Sequence, residues 1–510
     1  MVYEPTWESV RPHEVPAWFH DAKLGIFIHW GLYSVPGWAP TTGELHKVIQ
    51  EQGWQAWFAR NPYAEWYYNS MRIPGGVTQQ YHHETYGADF AYEDFIPMFN
   101  DAVAGWDPSE WVELFREVGA RYVVLTTKHH DGFLLWPSAH PNPYKEGYHA
   151  ARDLVGDLTD AVRAAGLRMA LYYSGGIDWT FNETVVTDIM DLAKAIPQQD
   201  DYVAYADAHW YELIERYAPV ILWNDIAYPA GADLAKLFAH YYNTVPEGLV
   251  NDRFTQKFSI DPEAMDIGGG VHADFTTPEY ASYDKITEPK WEATRGIGYS
   301  FGYNRNEDVE NYLSVEELIR SFVDVVSKNG NLLLNVGPMA DGTIPELQRE
   351  RLLGLGAWLK VNGDAIFGSR PWHVAEGGAR AAYRDEALPV RFTQKGDTLY
   401  ATMLASASTD TVYLNDLVAR EGTEIRLLGH EGPLAWVQHE DNVAVMLPAG
   451  LSDALLQAPA FTLSITPQPD RLTQPPVLHC SSRICDPAIP AAKGPTPSEV
   501  RRIADPPRTV

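Results

Sequence analysis

Two hydrophobic periods alternate along most of the chain, and the switches between them predict its elements. Asp107-Pro108-Ser109-Glu110 reads as an N-cap, a Pro at N1 and a Glu at N3. Trp111, Leu114, Phe115 and Val118 then share one helical face before Gly119 ends it. The apolar run from Tyr122 to Thr127 follows as a buried strand. This unit returns three times. A helix over Leu154, Leu158 and Val162 leads past Gly166 into a strand from Met169 to Tyr173. A helix through Trp210 to Tyr217 leads into Val220–Trp223, and one from Val315 to Lys328 leads into Leu332–Asn335.

Strands that are apolar throughout, rather than at every second position, are buried on both faces, as in a parallel sheet covered by helices. A doubly wound sheet and a (β/α)8 barrel both satisfy this. Each strand ends in polar groups, namely Lys128-His129-His130-Asp131, Ser174, Asn224-Asp225 and Asn335, and no Gly-rich phosphate loop follows any of them. Convergence of side chains from the C-terminal ends of several strands is how a barrel builds a site. The expected fold class is therefore α/β, with a (β/α)8-like barrel, or a distorted relative of one, over residues 1–365.

Beyond it, short β-rich stretches (Thr398–Leu404, Thr411–Leu414, Glu424–Leu428, Val443–Leu447 and Phe461–Ile465) are separated by Gly, Asp and Asn. They predict a C-terminal antiparallel β-sandwich over residues 366–466. Residues 467–510 hold 10 of the 36 prolines and no apolar period, so they read as a proline-rich flexible tail. Cys480 and Cys485 lie in that tail at a spacing that matches no metal template, and read as incidental thiols.

Composition narrows the partners. The 510 residues carry 39 Lys and Arg against 68 Asp and Glu, a formal charge of −29 that would repel nucleic acid and anionic membranes. Two cysteines exclude a disulfide scaffold, and no apolar run approaches the length of a membrane span. The first residues, MVYEPTWESVRPHE, show neither the basic nor the apolar region of a secretory signal, so a cytoplasmic protein is expected. The sequence leaves the oligomeric state open, a homo-oligomer included.

Candidate chemistry gathers at the predicted strand ends. Asp225 in Leu222-Trp223-Asn224-Asp225 stands where barrel catalytic residues concentrate, although an Asp after a strand also serves as an Asx turn or N-cap. His29, His129, His130 and Asp131 could hold a metal or could bind vicinal hydroxyls. Glu65-Trp66, Trp291-Glu292 and Phe301-Gly302-Tyr303-Asn304 add acids and rings. Two carboxylates, hydroxyl-binding groups and an aromatic platform are what glycoside hydrolysis needs.

The segments His29-Trp30-Gly31, Lys128-His129-His130-Asp131-Gly132-Phe133, Leu222-Trp223-Asn224-Asp225 and Arg295 to Asn304 resemble the α-L-fucosidases of glycoside hydrolase family 29, especially the bacterial branch. The resemblance covers about residues 10–365, and the β-rich segment matches that family's C-terminal sandwich. It implies a retaining exo-hydrolase that removes terminal α-L-fucose from fucosides or oligosaccharides without a cofactor or metal. The family's nucleophile falls on Asp225, and its acid/base falls on Glu279 in Thr277-Pro278-Glu279-Tyr280, with Glu65, Glu288 and Glu292 as competing acids. Fucose-binding roles fall on His29, Glu65, Trp66, His129, His130, Tyr172, Trp223, Arg253 and Phe301, the last against the C5 methyl edge.

Two other classes remain on the sequence alone. A metal-dependent barrel hydrolase would use His29, His129, His130 and Asp131. A non-catalytic sugar-binding barrel would keep the pocket without turnover.

Overall fold

The computed structural model describes residues 2–256, 272–381, 387–407, 411–448 and 450–471; Cys480, Cys485 and the tail beyond Arg471 lie outside the described residues. Seven parallel strands form the first sheet. They are β1 (Leu24–Ile28), β2 (Tyr122–Lys128), β3 (Arg168–Ser174), β4 (Ile221–Asp225), β5 (Leu249–Val250), β6 (Trp291–Gly296) and β7 (Gly330–Val336), hydrogen-bonded in the order β5-β4-β3-β2-β1-β7-β6. Between β5 and β6 the wall is completed by an irregular stretch. Asn251 bridges to Phe275, Thr276 to Trp291 and Glu279 to Thr294, all parallel. Its backbone bonds run from Asp274 N to the Val250 carbonyl on one side and from Thr294 N to the Pro278 carbonyl on the other, each 3.0 Å. The expected distortion of the barrel is thus a seam at its eighth position.

Alternation sorts each strand into two buried faces. Phe27, Tyr122, Val124, Ala170, Tyr172, Trp223 and Leu333 fill the barrel with Phe19 beneath them, while Ile26, Val123, Leu125, Leu171 and Leu334 face the helices. Gly25 takes an inward position because a Cβ there would lie 2.4 Å from the Tyr122 ring. The helix Pro108–Val118 starts as its sequence predicts, with the Asp107 side chain accepting from Ser109 N and Gly119 ending it at φ 93°. The helix predicted through Trp210 begins earlier, at Asp200.

The C-terminal sandwich is one continuous antiparallel sheet wrapped round its own core. Its strands are β8 (Arg370–Ala381), β9 (Ala387–Lys395), β10 (Thr398–Met403), β11 (Thr411–Leu414), β13 (Glu424–Leu427), β14 (Trp436–His439), β15 (Asn442–Met446) and β16 (Phe461–Thr466). The order is β13-β16-β10-β9-β8-β11-β15-β14, and Leu399, Val412, Ile425, Val443 and Leu463 meet in one cluster. A small second sheet pairs β12 (Leu417–Val418) with β17 (Asp470–Arg471), so the chain remains in this domain through Arg471, beyond the predicted boundary at 466. Arg391 joins the two domains by reaching Asp324 at 2.6 Å, and Trp358 does so through its indole N–H to the Ala460 carbonyl.

Candidate active site

A cavity opens at the C-terminal ends of the barrel strands. All eleven residues to which the resemblance gives a catalytic or fucose-binding role line it: Asp225, Glu279, His29, Glu65, Trp66, His129, His130, Tyr172, Trp223, Arg253 and Phe301. Strand geometry explains much of this convergence. His29 follows β1, His129 and His130 follow β2, Tyr172 points inward from β3, and Trp223 and Asp225 share the inward face of β4. Arg253 follows β5, Glu279 sits in the seam, and Phe301 follows β6.

One guanidinium organises the two carboxylates. Arg253 Nη1 donates to Asp225 Oδ1 at 2.7 Å, and Nη2 faces Glu279 Oε2 at 3.3 Å. Arg253 is itself fixed by the Thr277 hydroxyl and carbonyl and lies over the Trp223 ring at 4.7 Å. Asp225 also accepts from the Tyr172 hydroxyl at 2.8 Å. Burial acts to raise the Asp225 pKa, but the Arg253 charge and these hydrogen bonds outweigh it and hold the carboxyl below its ordinary value. Immediately after Asp225, Ile226 and Ala227 adopt φ of 62° and 97°, a costly conformation for residues with a Cβ.

The imidazoles are neutral. Burial lowers His29 to about 4, His130 to about 3 and His129 well below the usual value. Their neighbours fix two tautomers. Asn335 donates its amide N–H to the Phe301 carbonyl, so its Oδ1 accepts from His29 Nδ1–H at 2.7 Å. Ser174 donates to the Ile177 carbonyl and accepts from His130 Nδ1–H at 2.6 Å. In both rings Nε2 is left as an acceptor, suited to a sugar hydroxyl.

Glu65 is an interior acid. It lies in the short 3-10 turn Ala64–Trp66, fully buried, where burial pushes its carboxyl up to about 7. Its Oε2 accepts from Gly302 N at 2.8 Å and the Ser300 hydroxyl at 3.2 Å. Glu292 lies deeper, beneath the cavity, with its oxygens taken by the Trp223 indole N–H and the Tyr122 hydroxyl. Glu288 is exposed and does not line the cavity. Neither lines the cavity with Asp225 and Glu279. The metal alternative is also disfavoured by geometry. Asp131 accepts from the Tyr92 hydroxyl at 2.7 Å and from Phe133 N, and does not line the cavity that the three imidazoles line.

Sequence reasoning missed four lining residues: Phe27, Tyr63, Ile226 and Thr294. Tyr63 donates its hydroxyl to Glu279 Oε1 at 2.8 Å, and outside the cavity wall His46 Nε2 bonds the Glu279 carbonyl at 2.7 Å. Phe27 was within reach of the pattern, because it lies two positions before His29 on the same face of β1.

Residues 1–364 match the family model described as α-L-fucosidase, and residues 385–466 match that of the α-L-fucosidase C-terminal domain. The tissue α-L-fucosidase of Mus musculus is 33% identical over 475 residues, covering 91% of this chain and 94% of that protein. The plasma α-L-fucosidase of Homo sapiens is 34% identical over 464 residues, covering 88% of each. Among solved structures, Thermotoga maritima α-fucosidase in complex with a mechanism-based inhibitor is 43% identical, with a TM-score of 0.79, over 91% of this chain and 99% of that one. The same enzyme in complex with fucose gives 43% identity and a TM-score of 0.78 over 91% and 100%. Two matched domains spanning the barrel and the sheet, with relatives aligned over nearly their whole length, place the chain in the α-L-fucosidase family.

Proposed function

We propose that the chain hydrolyses terminal α-L-fucosides with retention of configuration, Asp225 acting as nucleophile and Glu279 as acid/base. The observation that carries this reading is the Arg253 bridge, which sets both carboxylates against one cation at 2.7 and 3.3 Å. Such a bridge favours the spacing of about 5–5.5 Å used by retaining enzymes over the gap of about 6.5–9.5 Å that an inverting enzyme leaves for water. In the first step Asp225 attacks the anomeric carbon while Glu279 protonates the departing oxygen. In the second, Glu279 takes a proton from water, which displaces Asp225. The side chains differ in exposure in the sense these roles require, 11% for Asp225 and 24% for Glu279. The deeper group faces the sugar and the more open one faces the aglycone. Three neutral imidazoles and Glu65 bind hydroxyls, and Trp66 and Phe301 wall the ring. The Thermotoga maritima relative solved with fucose supports the same occupant here.

Proton NMR of the first turnovers tests the stereochemistry. The α-anomer of fucose is expected first, with the β-anomer growing in by mutarotation; β-fucose first would mean an inverting enzyme.

Arg253→Met tests the electrostatics. The nucleophile must be ionised, and the guanidinium is the charge that offsets burial at Asp225. Without it the Asp225 pKa rises, so the acidic limb of the kcat/KM profile is expected to move up by about one to three pH units. At neutral pH kcat/KM is expected to fall by about 10²-fold through the combined loss of ionised nucleophile and of placement. An unmoved acidic limb would remove Arg253 from this role.

A further inference from the structure

At the closed end of the barrel, opposite the cavity, three cationic side chains gather, and the most deeply buried of them lacks a hydrogen-bond acceptor among the described residues. Lys23 immediately precedes β1, whose Leu24 pairs with Leu332 of β7. Lys290 immediately precedes β6, whose Trp291 pairs with Gly330 of the same strand. Both lysines are buried, at 0% and 2% exposure. Lys290 Nζ donates to the Asn329 carbonyl at 2.8 Å, whereas Lys23 Nζ has no partner among the described residues. From the C-terminal domain Arg370, the first residue of β8, reaches the His20 carbonyl at 3.3 Å and Asp21 at 2.7 Å.

The acids nearby do not balance this set. Asp21 is half exposed and already bound to Arg370. Glu292 spends its oxygens on Trp223 and Tyr122. Burial, with Arg370 close by, pushes Lys23 down to about 7; burial with Lys23 and Arg370 pushes Lys290 well below its ordinary value. Each ammonium offers three donors and no acceptor. Loss of the proton would remove the charge but leave N–H groups unpaired, and a water molecule would accept hydrogen bonds without cancelling charge. An anion supplies both. The burial of both lysines favours a small one.

We propose that Lys23, Lys290 and Arg370 bind a small inorganic anion of the halide class at the closed end of the barrel, tying the C-terminal domain to it. The test is thermal unfolding of the full chain in sodium chloride, with sodium gluconate holding ionic strength constant. A saturable rise in Tm of about 2–4 °C between 1 and 300 mM chloride is expected. Lys23→Met is expected to abolish the chloride response while unfolding no lower than wild type in gluconate, because the apolar side chain needs no counter-charge. A Tm blind to the identity of the anion, or a Lys23→Met protein that still responds to chloride, overturns the proposal. Should that variant not fold, bromide-soaked crystals of the wild type decide: an anomalous peak within hydrogen-bonding distance of Lys23 Nζ is expected, and its absence refutes the site.

Discussion

Asp225→Gly is expected to lower kcat on an aryl α-L-fucoside by about 10⁴-fold or more, the scale at which an enzyme loses its covalent route. The carboxylate lies at the end of β4, held by Arg253 at 2.7 Å and Tyr172 at 2.8 Å, and no neighbouring group on that strand could replace it. Removing it opens space beside a guanidinium, which suits a small anionic nucleophile. Added azide is therefore expected to restore part of the turnover and to give β-fucosyl azide, formed by a single inversion. EDTA is expected to leave wild-type turnover unchanged. Azide rescue with a β product would fix Asp225 as the nucleophile. A variant that keeps wild-type activity, or a wild type silenced by chelation, would sink the covalent reading.

Glu279→Ala is expected to depend on the leaving group. On an oligosaccharide, whose departing alkoxide needs a proton, the loss should reach about 10²–10⁴-fold, the usual worth of a general acid. On an activated aryl fucoside the first step needs no proton, so kcat/KM should fall far less. Azide is then expected to attack the fucosyl-enzyme and to give the α-azide, the product of two inversions. Glu65→Ala serves as the comparison. Its carboxyl is enclosed by Gly302 N and the Ser300 hydroxyl and is more deeply buried than that of Glu279. It should raise KM on both substrates with no leaving-group dependence. If the dependence appeared in Glu65→Ala and not in Glu279→Ala, the two assignments would exchange.

The regular parts of this molecule were legible because their sequence is redundant. β2, β3, β4 and β7 each announce themselves through continuous apolar runs, and their polar ends name His129, His130, Asp225 and Asn335. β5 did not, because two residues carry no period, and β1 was overlooked behind its own His-Trp-Gly ending. The burial of Glu65 was not legible for a different reason. Its burial depends on Ser300 and Gly302, more than two hundred residues away, which no local pattern contains. Tyr63 was missed likewise, since its contact with Glu279 spans 216 positions. Local periodicity finds what a strand presents; it does not find what a loop receives from afar.

The seam gives the two carboxylates different mechanical footing. Asp225 belongs to a strand laddered to β3 by successive pairs from Leu171–Leu222 to Ser174–Asp225. Glu279 hangs on isolated bridges, with its own to Thr294 and a left-handed residue, Tyr280 at φ 47°, directly behind it. Short irregular pairings open at lower free energy than central ladders. On the proposed assignment, a local opening of this wall would leave the strand that carries the nucleophile in place while withdrawing the proton donor and loosening the hold of Thr277 on Arg253. Such a division also offers evolution a hinge between chemistry and selectivity. On the proposed reading, the stretch that would meet the aglycone can be rebuilt without disturbing the strands that would hold fucose.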